Sequence, residues 1–108
     1  MTKNTPNPTP DATRISASGL KVLSVLTALQ GHCLNGLSNT DLAKALRESP
    51  STINRCCNTL IAAGLATQLE NGRFAHSVKL LQIAQSTATE LSRASERIAE
   101  LTQRINRF

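Results

Sequence analysis

Aromatic residues are almost missing from this 108-residue sequence: it has two Phe, no Tyr and no Trp. A stacking platform for single-stranded bases, of the kind an RRM or a typical OB-fold presents, cannot be built from them. Long apolar runs are missing as well, so no segment is suited to crossing a membrane. Met1 to Arg14 contains no apolar stretch of the sort a secretory signal needs, and a cytoplasmic, reducing setting is the expectation. In that setting the odd set of cysteines, Cys33, Cys56 and Cys57, needs no disulfide partners. The two His and seven acidic residues supply no CxxC or HxxxH spacing, no Ser/His/Asp set and no paired carboxylates, and there is no Gly-rich phosphate loop. No metal, cofactor or enzymatic activity is therefore expected.

What is present fits one small folded domain with an extra element, because hydrophobic residues make up 40% of the chain. Twelve Lys+Arg against seven Asp+Glu give a formal charge of +5, which favours polyanionic partners, nucleic acid foremost. The excess is thinly spread. Residues 1–77 hold seven basic and four acidic side chains, and residues 78–108 hold five and three. Modest affinity per monomer is expected, which makes a dimer part of the mechanism.

Three segments follow from the pattern. Residues 1–14, with Pro6, Pro8 and Pro10 among Thr and Asn, read as a disordered N-terminal arm. Residues 15–77 read as a folded head. Leu20, Leu23, Leu26 and Leu29, widened by Val22 and Val25, mark a helix over Ile15–Gln30, with Ser16 or Ser18 as its cap and Gly31 as its stop. Ser38 to Asp41 resembles a capping box and opens a short second helix carrying Leu42, Ala43, Ala45 and Leu46. Ser49-Pro50 opens a third, whose inner positions are Ile53, Cys56, Cys57, Leu60 and Ile61 and whose stop is Gly64. The period then changes to two. Asn71-Gly72 between alternating runs predicts a hairpin with a two-residue turn, which sets Leu69 opposite Phe74 on the inner face and Glu70 opposite Arg73.

Helix, short helix, tight turn, helix and hairpin make a mainly α fold with a small β-hairpin, the order of a winged helix-turn-helix. In that arrangement the third helix, 50–63, exposes its outer face to the major groove of duplex DNA. Ser51, Thr52, Asn54, Arg55 and Asn58 lie on that face, with Thr59 at its edge, and Asn and Arg are the residue types that read adenine and guanine edges. Ser38, Thr40, Ser49 and Ser51 stand beside helix N-termini, where free N–H groups can meet phosphates. The wing tip, Asn71, Gly72 and Arg73, is expected at the neighbouring backbone or minor groove.

Gly36-Leu-Ser-Asn-Thr-Asp-Leu-Ala-Lys-Ala-Leu46, Ser51-Thr-Ile-Asn-Arg-Cys-Cys-Asn-Thr-Leu60, Ala63-Gly-Leu65 and Gly72-Arg-Phe74 together resemble the DNA-binding domain of IclR-type transcriptional regulators. The resemblance covers about residues 18–84 and implies duplex DNA binding by a dimer. This chain has Arg47-Glu48 where the family has Gly-Leu in the turn, Pro50 where Lys is common, and Cys56-Cys57 where the family has Leu-Leu. The family's large effector-binding domain has no counterpart here, so no small-molecule effector is expected. That absence and the small size suit a regulator encoded by a phage or mobile element.

Residues 78–108 read as a C-terminal helix capped by Ser77. Leu80, Ala84, Leu91, Ala94, Ile98, Leu101, Ile105 and Phe108 fall on a heptad seam broken by Thr87. Leu91, Ala94, Ile98, Leu101, Ile105 and Phe108 are the expected homodimer contacts, in parallel or antiparallel pairing. The reading is therefore a small dimeric transcriptional regulator that recognises inverted half-sites about one helical turn, roughly 34 Å, apart. Two other readings stay open: a winged-helix protein-interaction or assembly module, and an architectural DNA binder with little sequence preference.

Overall fold

Four serines set the helix starts. Ser16, Ser38, Ser49 and Ser77 stand in extended backbone, and each Oγ accepts from the backbone N–H three residues on, at 3.0–3.2 Å. Each bond satisfies one of the four N–H groups that a helix start leaves without a partner. The computed structural model describes residues 10–107. The helices that follow the caps are α1 (Ala17–Ala28), α2 (Asn39–Leu46), α3 (Pro50–Ala62) and α4 (Val78–Asn106), with strands β1 (Ala66–Gln68) and β2 (Phe74–His76) between the last two.

Most of the disordered arm predicted over residues 1–14, together with Phe108, lies outside the described residues. Its end differs from that prediction: Ala12–Arg14 form one 3-10 turn, because the Asp11 side chain accepts from Thr13 N and Oγ1 at 2.9 and 2.8 Å. At α2 the capping box is complete, since Ser38 N also donates to the Asp41 carboxylate at 3.1 Å.

α1, α2, α3 and β1 close around one core: Val25, Leu29, Leu42, Ile53, Cys56, Cys57, Leu60, Ala66 and Phe74. Each large aliphatic side chain buried there stabilises the fold by about 1.5–3 kcal/mol. The stripe on α1 is rotated from the one predicted. Val25 and Leu29 are buried with Val22 and Leu26 beside them, whereas Leu20 and Leu23 are each 54% exposed. A helix this rich in Leu and Val offers two apolar faces, and the core takes only one.

The hairpin also departs from expectation. Ala66 pairs with His76, Thr67 with Ala75 and Gln68 with Phe74, which sets Leu69 opposite Arg73 rather than Phe74. Glu70, Asn71 and Gly72 form a three-residue loop, because only Gly72 has positive φ (+85°) and a two-residue type I′ turn would require it at both central positions. The inner face shifts accordingly: Ala66 is buried, Leu69 half-buried and Thr67 exposed.

Leu37 adds a third strand position. Its N–H and C=O both bond to Phe74, at 2.9 and 2.8 Å, which ties the second wing strand to the residue before the α2 cap. Gly36 makes this approach possible. A Cβ there would stand 2.7 Å from the Phe74 carbonyl oxygen, and its φ of +72° disfavours other residues.

Candidate nucleic-acid interface

α3 carries the candidate reading surface. Ile53, Cys56, Cys57 and Leu60 hold it to the core, so the opposite face points away from the domain. Asn54, Arg55 and Asn58 lie there, exposed, and their side chains make no hydrogen bond or ion pair among the described residues. At the start of the helix Ser49 Oγ contacts Ser51 Oγ at 3.1 Å and Thr52 Oγ1 at 2.9 Å, forming a hydroxyl cluster. Pro50 has no N–H and Thr52 N donates to Ser49 Oγ, which leaves the Ser51 N–H open in the first turn. Thr59 is occupied differently, since its hydroxyl donates to the Arg55 carbonyl at 2.9 Å.

Not every nominated side chain is free for an outside partner. Ser38 is engaged in the capping box, while Thr40 beside it is exposed. The Asn71 side chain is used at both ends: Oδ1 accepts from Arg73 N at 2.9 Å and Nδ2 donates to the Asn35 carbonyl at 3.3 Å. Asn71 thus shapes the wing and moors it to the loop before α2. Arg73 makes no ion pair among the described residues, Glu70 included, and is exposed. The Asp41 carboxyl titrates below its ordinary range. The Ser38 backbone N–H is the main cause, then the Ser38 side chain, with smaller help from the charges of Arg73 and Lys44.

Lys44, on the open side of α2, and Arg47, in the turn, are further exposed cations close to the nominated residues. Sequence reasoning passed over both, although each stands within a few residues of the α3 cap. Asn39 was passed over too: its Nδ2 donates to the Pro50 carbonyl at 3.0 Å and locks the starts of α2 and α3 together.

Residues 19–70 match the model of the IclR helix-turn-helix domain. These residues are an IclR-type helix-turn-helix domain. The fold agrees with that of an IclR family transcriptional regulator from Brucella abortus, with a TM-score of 0.62 at 19% identity over 77% of this chain. The chain spans about a third of that regulator's length, 32%. A ZitR variant from Lactococcus lactis aligns over 94% of this chain and 67% of its own at 15% identity, with a TM-score of 0.43, too slight a likeness to bear on the fold. No curated protein matches the chain.

The IclR-type domain keeps its turn despite the changed residues. Arg47 itself takes the left-handed conformation (φ 56°, ψ 45°), and Glu48 N bonds back to the Ala43 carbonyl at 3.1 Å. Glu48 stands where the family has an apolar residue, and its carboxylate meets Lys21 of α1 at 3.4 Å. Below this pair lies a cavity of about 80 Å³ lined by Ser24, Val25, Leu46, Ile53 and Cys56. The small Cys56 side chain is in keeping with that gap. Burial pushes the Cys57 thiol up to about 11, with Cys56 adding to the effect, and raises Cys56 through burial and the nearby Glu48. Both remain thiols at neutral pH, packed as small hydrophobes. Among the described residues no group of His, Cys, Asp and Glu could hold a metal, and no helix is long and apolar enough to cross a membrane.

Proposed function

We propose that this protein is a sequence-specific duplex DNA-binding transcriptional regulator that acts as a homodimer. The observation that carries the reading is the outer face of α3, where Asn54, Arg55 and Asn58 are exposed and unengaged while the inner face is packed. Their amide and guanidinium groups suit adenine and guanine edges, and a helix standing proud of its domain fits the major groove. The hydroxyl cluster and the Ser51 N–H at the α3 start, with Thr40, Lys44 and Arg47, supply phosphate contacts that fix the docking. Gly72 and Arg73 reach the neighbouring backbone or minor groove, and Asn71 serves them by shaping the tip. Dimerisation through the α4 seam offsets the thin charge of each monomer.

Selection of bound sequences from a random duplex pool tests this directly: a two-fold-related motif is expected. Arg55→Ala should cost about 1–3 kcal/mol and relax preference at one base position, read by titration against the selected site. Unchanged affinity and preference would sink the assignment of α3 as the reading helix. A steep loss of affinity as salt rises is expected for a protein that neutralises several phosphates. Failure to bind duplex even at low salt would favour a protein-interaction role, and a salt slope without a motif an architectural one.

A further inference from the structure

α4 leaves the domain one residue after the wing and runs for 29 residues, about 43 Å at 1.5 Å per residue, without burying one of them. Leu91, Ile98 and Ile105 are 66%, 65% and 73% exposed. An apolar seam of that length is costly to leave in water. Its composition is uneven in a way that specifies its cover. Small residues (Ala84, Thr87 and Ala94) and large ones (Leu91, Ile98 and Leu101) are interleaved so that the sequence complements its own reverse. The flanks are uneven too. One, formed by Leu81, Ala88, Ser95 and Thr102, carries no charge; the other, formed by Ile83, Glu90, Arg97 and Arg104, changes sign along its length.

We propose that α4 pairs with α4 of a second copy in antiparallel orientation, in the register that sets Leu91 against the partner's Ala94. The proposal rests on the dimer reading above and specifies its geometry. In this register Ala84 faces the partner's Leu101 and Thr87 the partner's Ile98, so each of these small residues meets a large one, and Leu80 meets the partner's Ile105 at either end. Parallel pairing in register would set Ala84, Thr87 and Ala94 each against its own copy and leave gaps at those layers. Burying Thr87 strands no hydroxyl, because Oγ1 already donates to the Ile83 carbonyl of its own helix at 3.3 Å.

Charge selects the same arrangement. Antiparallel helices lay like flank on like flank, which places Glu90 opposite the partner's Arg97 and, by symmetry, Arg97 opposite the partner's Glu90. Glu90 makes no ion pair among the described residues, and Arg97 has only an exposed contact of 3.7 Å with Glu100. Parallel helices would instead set Glu90 and Arg97 against Ser95 and Thr102, which give them nothing to pair with. The two domains then sit at opposite ends of the paired helices. Their α4 starts are about 43 Å apart along the axis, farther than the ~34–36 Å of one DNA turn.

Cysteine cross-linking in a Cys33→Ser background tests the orientation, since Cys33 is exposed while Cys56 and Cys57 are buried. Antiparallel pairing keeps the two copies of residue 84 about 25 Å apart along the axis, beyond the reach of a disulfide, which needs Cα atoms within about 7 Å. Ala84→Cys alone should therefore form no covalent dimer on oxidation, whereas Ala84→Cys with Leu101→Cys should. Light scattering on the same unmodified protein should give twice 11.6 kDa. A monomeric mass at micromolar concentration overturns the dimer reading and this proposal with it. A dimeric mass with ready self-linking of A84C overturns the antiparallel geometry alone. As a second arm, Glu90→Arg should weaken the dimer about three- to ten-fold, and adding Arg97→Glu should restore it. Equal dissociation constants across that series would count against the cross-helix pairs.

Discussion

The head and α4 are built from similar amphipathic patterns, yet they end in opposite situations. On α3 the inner positions Ile53, Cys56, Cys57 and Leu60 are 4% exposed or less, because α1, α2 and β1 supply surfaces that meet them. On α4 a longer seam runs on with Leu80 half-buried at its start and, among the described residues, none of it buried. Amphipathicity therefore marks a face that needs a partner without saying whether the partner is internal. The head carries its stabilising burial inside the monomer; in the dimer proposed above α4 would gain its own by association, where it depends on protein concentration.

The sharpest break in that comparison is a pair of truncations. Leu42→Ala in the head should cost about 2–5 kcal/mol in urea unfolding, since Leu42 is 0% exposed and the core around it collapses only partly. Ile98→Ala on α4 should leave the unfolding of the monomeric head within about 0.5 kcal/mol of the parent and appear instead as weaker self-association. Equal losses of head stability would mean that α4 packs on the head in solution.

A smaller effect separates two glycines of the wing region. Gly36→Ala should destabilise by about 1–3 kcal/mol, because the new methyl meets the Phe74 carbonyl as well as a strained φ. Gly72→Ala faces open space at a similar φ, so only the backbone term of about 1 kcal/mol applies. Thermal unfolding of the two variants ranks them, and the reverse order would place the wing differently.

The smallest expected effect is acidic and local to α2. The folded Asp41 carboxyl is held below its ordinary value, so its stabilising contribution is present above that value and is lost as pH falls through the lowered one. Ser38→Ala removes the reciprocal bond and should cost about 1 kcal/mol at neutral pH while flattening part of the acid-side slope. The Ile98→Ala protein should keep that slope, which separates it from anything happening on α4.

Much of this organisation could be read from residue order, and the misreadings have physical causes. Ser49-Pro50 at one end of α3 and Gly64 at the other left little freedom in placing it, and Ser77 marked the start of α4. Asn71-Gly72 was ambiguous, because Asn-Gly serves a two-residue turn and also a three-residue loop that ends in glycine. Here the Asn71 side chain bonds to Arg73 N and to the Asn35 carbonyl. Asn35 is far away in sequence, so no local pattern could supply that partner. The Lys21–Glu48 pair and the Leu37–Phe74 bridge are likewise long-range, as is the choice of face on α1. At the candidate interface the exposed face of α3 was legible from its period. The engagement of Asn71 and Thr59 was not, because it depends on which hydrogen bonds the folded backbone leaves open.

The Leu37–Phe74 bridge carries a consequence for motion. An isolated hairpin of three-residue strands would open and close on its own and exchange its amide hydrogens quickly with solvent. With both polar groups of Leu37 committed to Phe74, and Phe74 itself in the core, the wing can release that strand only when the approach to α2 is released as well. The Leu37 and Phe74 amides should therefore exchange at the slow rate of the whole head rather than at the rate of a loop, so that α2 and the wing meet any surface as one rigid body.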